Sequence, residues 1–351
     1  MPRRYKSTFR HLSRFFRLIW FNLNNTARSE SSKEEKHFEN FLTNFTKLQP
    51  NEQNSFDLFR GSWSTKISGV QNTGGFDGFN DDRINWLLDE LGGVKGKKIL
   101  ELGPLEGAHT YMLERAGGDV LSIEGNHGAF LRCLIVKNFL GLKSKFLLGD
   151  FSNPDISADC FDTVVASGVL YHMEDPVTLL EKVSSKTDNL FIWTHYFEED
   201  LERWSPIAKR EIKNGKWDID NPKLFDIDGL SVKTVRQNYG KAKQWSGFCG
   251  GRSSFSYWIC KQDLLALLRK LGFANIRINF DKVDHPNGPC FALIASRFDV
   301  DYYLDPKINP DLHNTFNSLP FAERELRAIE HYNVYGRKEG RVPIPISHIQ
   351  K

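Results

Sequence analysis

The residues best equipped for chemistry sit where short apolar runs end. Glu101 and Gly103 close Lys98-Ile-Leu, Glu124 closes Asp119-Val-Leu-Ser-Ile, and Gly149-Asp150 close Lys145-Phe-Leu-Leu. Ser167 and Gly168 close Phe161-Asp-Thr-Val-Val-Ala. A glycine turn after a buried strand lets the backbone bend sharply and lets a ligand approach it. That turn reads Gly103-Pro104-Leu105-Glu106-Gly107, a weak signal alone. Glu124 strengthens it, because it follows Gly103 by 21 residues, where a carboxylate can accept hydrogen bonds from a ribose diol. Gly125 and Asn126 extend that segment. Asp150 has two readings: an acceptor for an adenine amine with Phe151 packed on the ring, or a cap for the turn at Ser152-Asn153-Pro154.

Tyr171 and His172 follow the fourth run and His195 follows the fifth, all on the edge where open α/β sheets bind ligands. An imidazole with pKa near ~6.5 suits a general base, and the competing reading is a hydrogen-bonded wall residue. Tyr171 suits packing against cofactor or substrate better than proton transfer. No His, Cys or carboxylate cluster has ligand spacing, so no metal is expected.

The elements that must position these residues alternate regularly. Strands are expected at Lys98–Leu102, Asp119–Glu124, Lys145–Gly149, Phe161–Ser167 and Asn189–Thr194. Helices are expected from Asp81 to Leu91 with Asp81 or Asn80 as cap, around His109–Ala116, and at Ala129–Phe139, Val177–Ser184 and Gln262–Leu271. Such alternation implies a mostly parallel sheet covered on both faces. Asn275–Phe280 and Cys290–Ser296, with Pro286-Asn-Gly-Pro289 between them, read as an antiparallel hairpin closing it. The insertion over 195–258 gathers Trp204, Trp217, Tyr239, Trp245, Phe248, Phe255, Tyr257 and Trp258 among Gly247, Gly250 and Gly251. It reads equally as an acceptor-contacting lid and as a small satellite core.

With 351 residues and a net charge of only +3, the chain as a whole does not read as a nucleic-acid binder. The basic charge concentrates in residues 1–29, which carry no carboxylate. Phe9, Leu12, Phe16, Ile19, Trp20 and Leu23 recur there at helical spacing, so residues 1–25 read as an amphipathic helix on an anionic membrane surface or as a partner-docked terminus. A further helix is expected from about Ser32 to Lys47. No apolar run reaches the ~18–20 residues of a membrane span, and five scattered cysteines fit a reducing compartment. The cytoplasm, with peripheral contact at the inner face of the membrane, is the expected location.

The set Glu101, Gly103, Gly107, Glu124, Asp150-Phe151, Gly168-Val-Leu-Tyr-His172 and the closing hairpin resembles the class I S-adenosylmethionine (SAM)-dependent methyltransferases. The resemblance covers roughly residues 56–297 and implies a Rossmann-like α/β fold with a seven-stranded sheet. It implies cofactor contacts at Glu101, Gly103, Pro104, Gly107, Glu124, Gly125, Asn126, Asp150, Phe151, Ser167 and Gly168. Leu105 departs from it, since many members have a glycine there. Gly168–Met173 and Phe130-Leu-Arg-Cys133 are similar to the branch holding the tRNA wobble-uridine carboxymethyltransferases. Those enzymes use carboxy-SAM and bind the extra carboxylate upstream of the first strand, where this chain offers Trp63 and Lys66 without a match that transfers the role. The likeness is one of branch, not of substrate.

Residues 1–55 are thus expected as an N-terminal helix and linker, 56–297 as the methyltransferase domain and 298–351 as an accessory module. Asp301-Tyr-Tyr-Leu-Asp305 and Glu330-His-Tyr-Asn-Val-Tyr-Gly-Arg-Lys-Glu-Gly-Arg341 resemble a module found beside bacterial surface-polysaccharide enzymes. The favoured function is O-methylation of a small-molecule or glycan acceptor, with His172 or His195 as the candidate general base. The alternatives are a tRNA-modifying transferase and a non-catalytic SAM-binding protein. Oligomeric state is open.

Overall fold

The computed structural model describes residues 44–152, 159–198, 200, 206–245 and 248–345. Residues 52–351 gather into one compact unit, and residues 1–51 are a second. The basic helix expected over 1–25, the start of the helix expected from Ser32, and Asn153, Pro154, Trp204 and Gly247 lie outside the described residues. Residues 44–50 are irregular, so the helix expected to run to Lys47 does not reach it. Among the described residues, no helix is long and apolar enough to cross a membrane.

A short helix α1 (Gln53–Asp57) precedes α2 (Asp82–Glu90), and the alternation then begins: β1 (Lys98–Leu102), α3 (Ala108–Arg115), β2 (Asp119–Glu124), α4 (His127–Leu140) and β3 (Lys145–Leu148). It continues with β4 (Thr163–Ser167), α5 (Pro176–Ser184) and β5 (Asn189–His195). The caps are local chemistry. The carboxylate of Asp81 accepts the Arg83 N–H, the Asn126 amide oxygen accepts the Ala129 N–H, and Asp175 accepts the Thr178 N–H with Pro176 behind it. β1 and β4 are apolar and buried nearly throughout, as strands covered on both faces must be.

The insertion forms α6 (Pro206–Lys213) and an antiparallel sheet of β6 (Trp217–Ile227), β7 (Leu230–Asn238) and β8 (Phe255–Ile259). Phe197, Trp217, Val235 and Trp258 pack inside it. These side chains form a satellite core, and Trp245 stands exposed. After α7 (Lys261–Lys270), the pair β9 (Asn275–Lys282) and β10 (Cys290–Ser296) completes the main sheet. Its order is β3-β2-β1-β4-β5-β10-β9, parallel except that β10 runs antiparallel to both neighbours. The expected closing hairpin is therefore present.

Residues 298–345 form α8 (Val300–Tyr303), α9 (Pro310–Phe316) and α10 (Phe321–His331), the last running into a π-helical turn at Tyr332–Gly336. The distinctive tail pattern is used structurally. His331 Nδ1 bonds the Tyr303 hydroxyl at 3.0 Å, and a Cβ on Gly336 would lie 2.2 Å from that oxygen. Arg341 pairs with Asp311 at 2.8 Å and with Asn309 at 2.6 Å. Arg337 reaches Glu90 on α2 at 2.7 Å, where Arg277 of β9 also pairs at 2.6 Å. One carboxylate is thus shared by two largely buried guanidinium groups. Glu90→Ala should destabilise the fold by about 2–4 kcal/mol, because both cations lose their partner. Urea unfolding measures it, and a loss below about 1 kcal/mol would show that water already carries those charges.

Candidate active site

The glycine turn is built from left-handed backbone. Gly103 has φ +63°, Leu105 +57° and Gly107 +76°. Gly103 N–H donates to the Ile123 carbonyl at 2.9 Å, and a Cβ there would come within 3.1 Å of Val169. Gly107 opens α3, and the buried Pro104 offers its carbonyl to the N–H groups of Glu106 and Gly107. Leu105, the departure from the usual glycine pattern, nonetheless adopts the conformation that a glycine takes freely, at a cost of about 1–2 kcal/mol.

Glu124 explains how that conformation is held. Its carboxylate accepts the Leu105 N–H at 3.1 Å and the Asn126 N–H at 2.8 Å, which joins the turn to the end of β2. Burial raises its pKa against the pull of these donors. Carboxylate oxygens have about four lone-pair sites in all, so acceptor capacity remains for a ligand. Glu101 lies deeper. It accepts hydrogen bonds from Thr110 and, at 2.8 Å, from Ser122, and burial raises its pKa. Its visible work is tying α3 to β1 and β2.

At the next strand ends, Gly125 lies exposed beside Gly149, and Asn126 caps α4. Asp150 is half exposed and accepts the Ser152 N–H at 2.9 Å and its hydroxyl at 2.5 Å. That is the turn-capping alternative. The two Ser152 hydrogen bonds depress its pKa, the hydroxyl most. Phe151 packs, partly buried, against the main core. Ser167 has a buried hydroxyl with no hydrogen-bond partner among the described residues. Gly168 has φ +83°, and a Cβ there would lie in ordinary van der Waals contact with Trp193 and the Tyr171 hydroxyl.

Tyr171, His172 and His195 are brought together. The Tyr171 ring lies 4.1 Å from that of His172 and 4.6 Å, edge-on, from that of His195. His172 Nδ1 meets the Tyr239 hydroxyl at 2.9 Å. Gly250 and Gly251 let the following loop lie on His172, since a Cβ would come 2.9 Å from its Nδ1 and 2.7 Å from its carbonyl oxygen. His195 Nδ1 faces the carbonyls of Gly288 and Pro289 at 2.9 and 3.1 Å, so that nitrogen must carry the proton. Burial lowers the pKa of His172 to about 3 and that of His195 to about 4. It raises that of Tyr239 to about 12 and pushes the Tyr171 phenol further up.

Several residues of this region carry no sequence signal, because their partners are distant in the chain. Glu106, buried in the turn, accepts the N–H groups of Ser64 and Thr65 at 2.9 and 2.7 Å and pairs with the buried Arg132 at 3.3 Å. Arg83 chelates Asp81 and stacks 4.4 Å over Trp193, while His109 meets Asp81 at 3.0 Å. Burial pushes the Asp81 carboxyl up, but Arg83 and His109 hold it well below the usual range. His285 and Cys290 join His195 within 4.8 Å, a grouping that spacing in sequence does not reveal. Trp63 is buried and donates its indole N–H to the Phe56 carbonyl, while Lys66 is exposed.

The strand order with its antiparallel penultimate strand, the turn after β1 and the acid after β2 meet a family model for a methyltransferase domain, which matches residues 100–186. Residues 100–186 thus match a methyltransferase domain, and the sheet has the order of the class I, SAM-dependent methyltransferase fold. Among solved structures, the N-terminal domain of EvdMO1, crystallised with S-adenosylhomocysteine (SAH) and D-fucose, has the same fold. The two share 23% identity and a TM-score of 0.53 over 70% of this chain and 95% of that one. Curated relatives include the tRNA U34 carboxymethyltransferase of Campylobacter fetus subsp. fetus (strain 82-40), 28% identical over 43% of this chain and 59% of its own length. The enzyme of that name from Alteromonas mediterranea (strain DSM 17117 / CIP 110805 / LMG 28347 / Deep ecotype) is 22% identical over 69% of this chain and 64% of its own. The chain thus spans about three fifths of the length of these two relatives, and less of others.

Two outcomes follow from this geometry. Leu105→Gly should leave stability unchanged or raise it, whereas Leu105→Ile should lower it by about 1–2 kcal/mol, since a β-branched side chain resists positive φ. Thermal unfolding compares them, and equal stability of the two variants would contradict a left-handed turn. The second outcome concerns pH. An unfolded histidine titrates near ~6.5, so the unfolded chain binds protons that buried His172 and His195 refuse. Their contribution is complete above about pH 6.5 and is lost as pH falls towards about 4, so stability drops across that window. In His172→Gln, the fall in unfolding free energy between those values should be shallower, and an unaltered slope would count against neutral burial of His172.

Proposed function

We propose that this domain transfers the methyl group of SAM to a hydroxyl of a sugar or other small-molecule acceptor. The observation carrying the cofactor side is Glu124, which locks the left-handed turn while keeping acceptor capacity at the ligand edge of the sheet. There it would take the ribose diol, with Gly103, Pro104, Gly107, Gly125 and Asn126 lining the approach. Glu101, Asp150-Phe151 and Ser167-Gly168 complete the proposed contacts, and the unpartnered Ser167 hydroxyl is the one free to turn towards a ligand. SAM supplies an electrophilic methyl on a sulfonium. The protein's part is to align the acceptor oxygen in line and to exclude water.

His172 is the proposed general base. With Tyr239 accepting from Nδ1–H, the lone pair stays on Nε2, and burial keeps the ring neutral and ready to take the hydroxyl proton. Tyr171, Trp193 and His195 supply ring faces and edges suited to one side of a sugar ring. A sugar acceptor is supported by that lining, by the fold shared with EvdMO1, and by the tail's likeness to modules beside polysaccharide enzymes. A second reading is favoured by the curated relatives: transfer to the wobble uridine of tRNA, with SAM or carboxy-SAM as donor.

Calorimetric titration with SAM should show 1:1 binding by wild type and at least tenfold weaker binding by Glu124→Ala. A well-folded wild type that binds no SAM would sink the proposal. Incubation with methyl-labelled SAM and fractionated cell extract separates the acceptors. Label in saccharide fractions is expected, and label in tRNA alone would replace the first reading with the second. With the labelled acceptor, His172→Gln should lower kcat about 10²–10⁴-fold at unchanged SAM affinity.

A further inference from the structure

The geometry points to a metal-ion site formed by His195, His285 and Cys290, of the class that takes a borderline divalent cation such as Zn(II). One ligand atom from each lies within 4.8 Å of the others. The three come from different places: the end of β5, the connection between β9 and β10, and the first residue of β10. Cys290 and His195 are register partners on antiparallel strands, so the sheet itself sets them side by side. A tetrahedral Zn(II) site has ligand–ligand edges of about 3.5 Å, so the cluster would contract by about 1 Å on loading.

Two features mark the cluster as built. First, His195 donates Nδ1–H to the Gly288 and Pro289 carbonyls, which leaves its only lone pair on Nε2. Metal-bound histidines are held by that kind of backbone acceptor on the opposite nitrogen. Second, the turn that carries His285 has one way to sit. Gly288 has φ +112°, and a Cβ there would lie 2.7 Å from the Trp258 ring, so the bare backbone presses on the indole. His195 stacks on the same indole at 5.0 Å, and the His285 ring lies 5.2 Å from that of His195.

The donor set decides the kind of ion. Two imidazoles and a thiol suit Zn, Cu or Ni, not Mg or Ca. Three protein ligands leave a fourth position open. Burial already keeps both histidines neutral, so only Cys290 must change on binding: S–H breaks, the sulfur bonds the cation, and one proton passes to buffer. Burial pushes the Cys290 thiol up, while Lys282, the Trp193 indole and Arg83 oppose that shift, so it is the bound metal that must draw the proton off. The same cations oppose a second charge on the metal, which sets the affinity below that of an all-cysteine site.

Binding is tested without reference to methyl transfer. Chelator-treated full-length protein is titrated with Zn(II) in buffers of different ionisation enthalpy and with Co(II) in a spectrophotometer. Expected are 1:1 stoichiometry, release of about one proton, and a thiolate-to-Co(II) charge-transfer band. Cys290→Ser should abolish the band, and His285→Ala, at a partly exposed position, should weaken binding at least tenfold. Both variants should unfold near the wild-type temperature without metal. If Cys290→Ser does not fold, His285→Ala alone decides. Absence of stoichiometric binding, a band that survives Cys290→Ser, or unchanged affinity in His285→Ala would overturn the site.

Discussion

Glu106 is a carboxylate almost wholly removed from water, and its position is tolerable only because every neighbour answers it. Two backbone N–H groups from the segment before the sheet and the guanidinium of Arg132 converge on its two oxygens. A charge of this kind left without partners would cost several kcal/mol, so the three elements cannot part independently. The arrangement fixes the segment around Ser64 and Thr65 against the turn after β1 and orients α4 through Arg132. Glu124 then needs only backbone donors to hold the turn in its left-handed shape. The proposed cofactor edge is thus braced by charges that are internal to it.

The proposed acceptor side follows a different logic. Its polar groups are imidazoles and a phenol buried among aromatic rings, and burial keeps them uncharged at neutral pH. In the proposed reaction, a ring-lined wall beside the sulfonium suits the dispersal of positive charge as the methyl moves. Where charge does occur nearby, on Arg83, it is matched by Asp81 and spread over Trp193.

Much of the fold was legible in sequence because parallel strands buried on both faces write themselves as apolar runs. β1, β2 and the closing hairpin fall within two residues of their expected bounds. The helix from Asp81 was legible through its cap. The insertion was not, since aromatic residues among glycines fit a lid and a core alike, and the core shows itself only in the packing of Trp217 on Trp258. The site was half legible. Glu124 announces itself by its interval from the glycine turn, while Glu106, Arg132, Cys290 and His285 act through partners with no fixed spacing. Leu105 misled in the other direction: it breaks the glycine pattern yet keeps the glycine conformation.

The short helix α2 begins and ends on charges with separate loyalties. Its cap, Asp81, gathers Arg83 and His109 at the wall of the site, and its last residue, Glu90, gathers Arg277 of the sheet and Arg337 of the tail. Nine residues of α-helix span only about 14 Å and bend little. A shift of the tail would therefore reach the wall as a tilt of one rod, not as a diffuse loosening. Such a chain could not exchange its C-terminal segment freely in evolution, because a replacement would have to supply a cation where Arg337 now stands.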